Sequence, residues 1–129
     1  MIFISVLHFT NQSFVNDSYT VKTIQFDDLF PILLSRGIRG AIMKIDIEGS
    51  ESFVVESGSR IFDSFEIPFI QMEWMKVHVF PDRAKLIIDF FTKRNYDPMT
   101  FQCQLLNSTR YSTWPGDMCW IKRNVSGFC

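Results

Sequence analysis

Four side chains in this sequence combine types and spacings suited to chemistry. Asp46 and Glu48 fall within Lys44-Ile45-Asp46-Ile47-Glu48-Gly49-Ser50-Glu51, Glu73 closes the next apolar run, and His78 follows shortly after it. Clustered carboxylates position a hydroxyl or take its proton, and an imidazole that titrates near neutrality serves as a general base. Such closely spaced acids would also suit a hard divalent cation, although no metal is assigned. Simpler readings stand beside these. Glu48 and Glu51 also fit the first turn of a following helix, where the helix dipole favours anions. Both readings stay open for Glu48, and Glu51 is taken as structural. Asp46 is taken as functional, because an unpaired carboxylate at a buried strand end is costly. His78 reads either as a base or as ordinary surface, Trp74 as a substrate platform or as core, and His8 as structural.

The elements that must position these residues follow from the pattern around them. Ala41-Ile42-Met43 leads into the acidic run, which breaks at Gly49 into a helical pattern. A buried parallel strand of an open α/β sheet ends in this way, and ligands of such sheets sit beyond the carboxyl ends of the strands. Val54, Gly58, Ile61, Phe62 and Phe65 share one helical face, with Ser50 as its candidate cap. Residues 68–74 read as a second buried strand. Residues 82–94 read as a helix that aligns Ala84, Ile87, Ile88 and Phe91. Strands near 100–106 and 118–123 flank Trp114-Pro115-Gly116 with no helix between them, which predicts an antiparallel hairpin. Upstream, residues 2–9 and 20–26 read as strands around a polar loop, 10–18. Asp27 is a candidate cap for a helix carrying Leu29, Phe30, Leu33 and Leu34, which Pro31 would shorten or delay.

Bulk properties narrow the function classes. A 129-residue chain with 47% apolar residues and 14 Phe predicts one packed domain. A net charge of −1 with scattered Lys and Arg argues against nucleic acid as a partner. No stretch approaches the length of a membrane span, and residues 2–9 lack the features of a signal peptide. Four of the five Asn lie in Asn-x-Ser/Thr acceptors, at Asn11, Asn16, Asn107 and Asn124. Ser and Thr at roughly 15% of positions would give about one by chance. The acceptors point to the lumen of the secretory pathway or the cell exterior ahead of the cytoplasm, although Ser-rich loops also generate such tripeptides freely. Cys103, Cys119 and Cys129 fit no metal spacing. A Cys103–Cys119 bridge between neighbouring strands, with Cys129 left over, suits the lumenal reading. Three free thiols suit the cytosolic one.

Val21-Lys22-Thr23-Ile24-Gln25-Phe26-Asp27-Asp28-Leu29, followed by the Met43–Glu51 run and by Pro68-Phe69-Ile70-Gln71-Met72-Glu73, resembles the FkbM-type methyltransferase domain. The resemblance covers roughly residues 20–123, between an N-terminal strand and loop (1–19) and a tail (124–129). It implies an α/β fold: a partial Rossmann-like class I methyltransferase sheet with helices on both faces. That sheet would hold strands four to seven of the order 3-2-1-4-5-7-6, the last two as an antiparallel hairpin. It also implies S-adenosylmethionine as the methyl donor, with Asp46 near it, and a small-molecule or glycan hydroxyl as acceptor. Asp46, Glu48, Glu73 and His78 would then be the catalytic candidates. The family's glycine-rich donor-binding turn has no counterpart here, since no Gly-x-Gly occurs. The resemblance therefore predicts a methyltransferase domain lacking its donor-binding half and inactive alone, or a non-catalytic lumenal or extracellular interaction domain on the same scaffold. Loss of that half would expose the edge of strand four to self-association.

Overall fold

Apolar runs bounded by glycine and acid become strands here, and the segments of helical period between them become helices, in a computed structural model that describes residues 23–129. The strands β1 (Gly40–Ile45), β2 (Glu66–Glu73), β3 (Tyr96–Met99) and β4 (Asp117–Lys122) form one sheet in the order β1-β2-β4-β3. β1 and β2 run parallel, with Ile42 opposite Phe69 and Ile45 opposite Met72. A parallel pair needs a crossover, which α2 (Glu51–Glu56) and α3 (Ser59–Ser64) supply. β4 runs antiparallel to both β2 and β3. A 3-10 turn (Phe26–Leu29) leads into α1 (Phe30–Ser35), which Pro31 opens in the first turn, where its missing N–H costs nothing. α4 (Pro81–Lys93) is the longest helix described and buries Ala84, Ile87, Ile88 and Phe91, the face expected from their spacing.

An aromatic chain ties these pieces together. Phe26 meets Phe62 at 5.7 Å between centroids, Phe62 meets Phe91 edge-on at 5.4 Å, and Phe91 stacks on Trp120 at 4.9 Å. Each such pair contributes roughly 1 kcal/mol beyond the area it buries. The chain runs from the 3-10 turn through α3 and α4 to β4, so these elements cover the sheet face to which Trp120 projects. Alternation sends Cys119 and Ile121 to the other face, together with Phe69, which carries the stacked ring of Phe128 at 5.4 Å. Helices were expected on both faces. Among the described residues α3 and α4 share one face, because Phe62 and Phe91 pack together and Phe91 stacks on Trp120.

Other expectations are corrected as well. The single helix over residues 54–65 is two helices broken at Ser57-Gly58. A Cβ on Gly58 would lie 2.5 Å from the Val54 carbonyl oxygen and 2.7 Å from the Phe26 ring, so the chain passes there as glycine. Asp27 sits inside the 3-10 turn and caps α3 instead of the helix beside it. Its carboxylate accepts the Arg60 and Ile61 amides at 3.1 and 3.0 Å. The strand expected over 100–106 lies earlier, at Tyr96–Met99, because the Thr100 amide donates to the Gln104 carbonyl and closes a turn with Cys103 at φ 62°. Pro98 is tolerated in that strand at the sheet edge. The disulfide joins Cys103 to Cys129. Cys119 is unbridged, 1% exposed on β4, with its thiol directed at the Met99 carbonyl oxygen 3.4 Å away. The strand and loop expected over 2–9 and 10–18, His8, and most of the strand expected over 20–26 lie outside the described residues; 23–25 form no strand.

Two stability measurements check this architecture. Gly58→Ala forces Cβ against backbone oxygen and should lower the free energy of unfolding by about 1–3 kcal/mol in a denaturant titration. Cys129→Ser opens a loop spanning 26 residues of sequence separation. It should cost about 3 kcal/mol, and an unchanged midpoint would show that the bridge does not constrain the chain.

Candidate functional site: carboxylates at the tips of β1 and β2

The site begins where β1 stops. Ile45 and Ile47 are buried, and Asp46 between them projects to the opposite side. The chain then reverses through Glu48 (φ 60°) and Gly49 (φ 92°), two consecutive left-handed residues. What holds this reversal is Glu51. Its side chain is 0% exposed, and Oε1 accepts the Ile47 amide at 3.0 Å and the Gly49 amide at 3.3 Å. A single carboxylate oxygen thereby satisfies two loop donors and sets the first turn of α2. Ser50 stands at the N-cap position without a side-chain capping bond. From α4, the Arg83 guanidinium donates to the Gly49 carbonyl oxygen at 2.8 Å, steadied over the Phe80 ring at 4.6 Å.

The turn brings Asp46, Glu48 and Glu73 together, with one oxygen from each within 4.8 Å of the others. Lys44 pairs with Asp46 at 3.0 Å, and Lys76 pairs with Glu48. Both pairs are open to solvent and hold their acids weakly. Glu73 has no such partner, and its Oε2 is buried without a hydrogen bond. Burial pushes the Glu73 carboxyl above its usual range, and the charges of Asp46, Glu51 and Asp117 push it further, against a smaller opposing pull from Lys44. The result is a proton-avid carboxyl beside two further acids. Three acids so placed can hold a hydroxyl group, accept its proton, or share a hard cation.

The four residues singled out by sequence divide in two. Asp46, Glu48 and Glu73 converge. His78 stays outside that group, half-buried, with Nδ1 3.3 Å from the Trp74 carbonyl oxygen. Trp74 is fully buried, packs on Trp114 at 4.7 Å and donates from its indole to the Tyr111 carbonyl oxygen at 2.8 Å, so it is core. Sequence reading missed Asp117 and Arg83. Asp117 acts on Glu73 because antiparallel pairing sets the two opposite each other. Only the register of β4 against β2 could have revealed it. Arg83 lies at helical spacing from nothing in the loop it binds, so no local signal marks it.

A four-stranded mixed sheet with helices, carrying acids beyond the tips of two adjacent parallel strands, is compatible with an α/β methyltransferase fold. Residues 3–98 match the family described as the methyltransferase FkbM domain. The chain belongs to the FkbM methyltransferase family. No curated protein and no solved structure matches it.

The raised affinity of Glu73 for a proton has a sign that can be measured. A group that binds its proton more tightly in the folded state adds stability below its ordinary value of 4.5, and that stability is lost as pH rises through the raised value. Glu73→Gln mimics the protonated form. Its stability should match the parent near about pH 4 and exceed it at about pH 7 in parallel thermal melts. A difference independent of pH would remove the raised affinity.

Proposed function

We propose that this chain serves S-adenosylmethionine-dependent O-methylation of a sugar or small hydroxylated acceptor, with the β1–β2 acid cluster as the acceptor side of the site. The observation that carries this reading is the convergence of Asp46, Glu48 and Glu73 in a member of a methyltransferase family. The cluster would bind the acceptor hydroxyl through Asp46 and Glu48, and Glu73 would take its proton. A proton affinity raised above that of an ordinary carboxylate suits Glu73 to that task. Lys44 and Lys76 would help to orient the neighbouring acids. His78, bonded toward Trp74, is a second base candidate from the adjoining loop. Under the same reading, β1, β2, β3 and β4 correspond to strands four, five, six and seven of the class I sheet, in keeping with the order β1-β2-β4-β3.

The donor itself does not fit the described residues. They contain no glycine-rich strand-to-helix turn. Two grooves they form, of about 500 Å³ between α2, α3 and α4 and about 270 Å³ beside Gly40–Ile42 and Phe128, are lined by none of the three clustered acids. Asp46, the residue that the family resemblance would set near the donor, is already engaged by Lys44. That misfit favours a second reading, a non-catalytic interaction domain that keeps the scaffold. β1 borders the sheet among the described residues and presents Ala41, Ile42 and Lys44, an edge at which a second copy would pair.

Calorimetry separates the readings on the donor side. The 129-residue chain should bind S-adenosylmethionine weakly or not at all, and a low-micromolar dissociation constant would overturn the misfit. On the acceptor side, labelled methyl transfer is assayed over a panel of sugars and hydroxylated small molecules, using the protein from its own cells. Asp46→Asn should reduce turnover by about 10²-fold or more, and Glu51→Gln far less, because the glutamine carbonyl oxygen can still accept the Ile47 and Gly49 amides. Equal rates for the two variants, both near the parent's, would take Asp46 out of the reaction. Absence of transfer with every acceptor would favour the interaction domain.

A further inference from the structure

The segments on either side of the Cys103–Cys129 bridge carry two features that the acid cluster does not use. The first is a pair of Asn-x-Ser/Thr sequences, Asn107-Ser108-Thr109 and Asn124-Val125-Ser126. Both asparagines are exposed. Asn107 is held at the start of a 3-10 segment (Ser108–Thr113), where its backbone carbonyl accepts the Trp114 indole N–H at 2.9 Å. Its side-chain oxygen accepts both the amide and the hydroxyl of Thr109, at 2.9 and 2.7 Å. The acceptor amide and the hydroxyl two residues on are thus already in contact, and no hydrogen bond engages Nδ2 among the described residues. Asn124 sits in the turn after β4 in the left-handed conformation, φ 65°, outside every ladder. The second feature is apolar. Phe101 is 52%, Leu105 67% and Val125 40% exposed, all in the same two segments.

From these observations we infer that Asn107 and Asn124 are N-glycan attachment sites. The bridge supports this independently, because a disulfide in a chain of this size persists in the oxidising compartments where such glycans are added. The donor is an oligosaccharide joined through a diphosphate to a lipid. The asparagine Nδ2 forms a bond to the anomeric carbon, the bond from that carbon to the diphosphate oxygen breaks, and the amide proton is lost as the lipid diphosphate departs. A glycan at each position extends into solvent from a turn, displaces no core side chain, and shields the neighbouring exposed Phe101, Leu105 and Val125. The inference stands apart from methyl transfer, since neither asparagine belongs to the acid cluster.

The test takes the protein from the cells that make it. Peptide-N-glycosidase should increase its gel mobility and convert Asn107 and Asn124 to aspartate in the released peptides. Mapping without reductant should return Cys103 joined to Cys129, with Cys119 the thiol left for alkylation. In a second arm the full chain, carrying a cleavable leader, is translated into microsomes. N107Q and N124Q should each remove one glycan step, T109A should remove the Asn107 step, and T109S should retain it. A protease-protected chain without any glycosidase-sensitive step overturns the inference. So does an N107Q or N124Q ladder identical to the parent's, or a native protein whose two asparagines remain unmodified.

Discussion

The buried Glu51 carboxylate is the interaction on which the site depends. A buried acid is costly unless hydrogen bonds hold it, and here Oε1 alone gathers the Ile47 and Gly49 amides while Oε2 is buried without a partner. Those amides belong to the loop that carries Asp46 and Glu48. The loop can adopt two successive left-handed residues because its donors are already satisfied by the helix it introduces. Removing the carboxylate would strand two buried N–H groups and release the reversal that aims Asp46 and Glu48 at Glu73. Arg83 reinforces the same turn from the opposite side, through its carbonyl. A short sequence thus defines its own geometry, with the acid that stabilises it placed three residues after the acid that uses it.

Beneath this loop the aromatic chain from Phe26 to Trp120 does the corresponding work for the domain. It links elements far apart in sequence, and it explains why α2 and α3 cannot merge. Gly58 is the point where the backbone must let the Phe26 ring approach. The Asp27 carboxylate then closes the exposed amides of α3 from the same incoming segment. Packing and capping at this junction come from one stretch of chain, so the entry of the 3-10 turn and the break between helices are a single structural event.

Much of this was legible in the residues themselves. The strand, acid, glycine and helix succession around Asp46 appears where it was read, because Met43 and Ile45 are buried and the chain breaks at the acidic turn; the strand is not buried on both sides, since Lys44 between them is exposed. α4 was legible for a similar reason, as its spacing and its buried face coincide. The illegible parts share one cause. The Gly58 break, the capping role of Asp27, the influence of Asp117 on Glu73 and the Arg83 contact all arise between segments distant in sequence. Local pattern reports what a segment prefers, whereas these depend on which neighbour arrives. The start of β3 was misplaced because the apolar stretch after Thr100 is spent on a turn rather than a ladder.

Cys119 settles a question of sorting among three thiols. Its sulfur is enclosed between β4 and the end of β3, and burial pushes its pKa upward, so little of it exists as the thiolate that attacks disulfides. Once the sheet has formed, the thiols outside the core are those of Cys103 and Cys129, and they pair with each other by default. Burial of Cys119 on β4 thus leaves Cys103 and Cys129 to each other in the folded sheet. Oxidation ahead of folding would find three equivalent partners. Oxidation after it finds two.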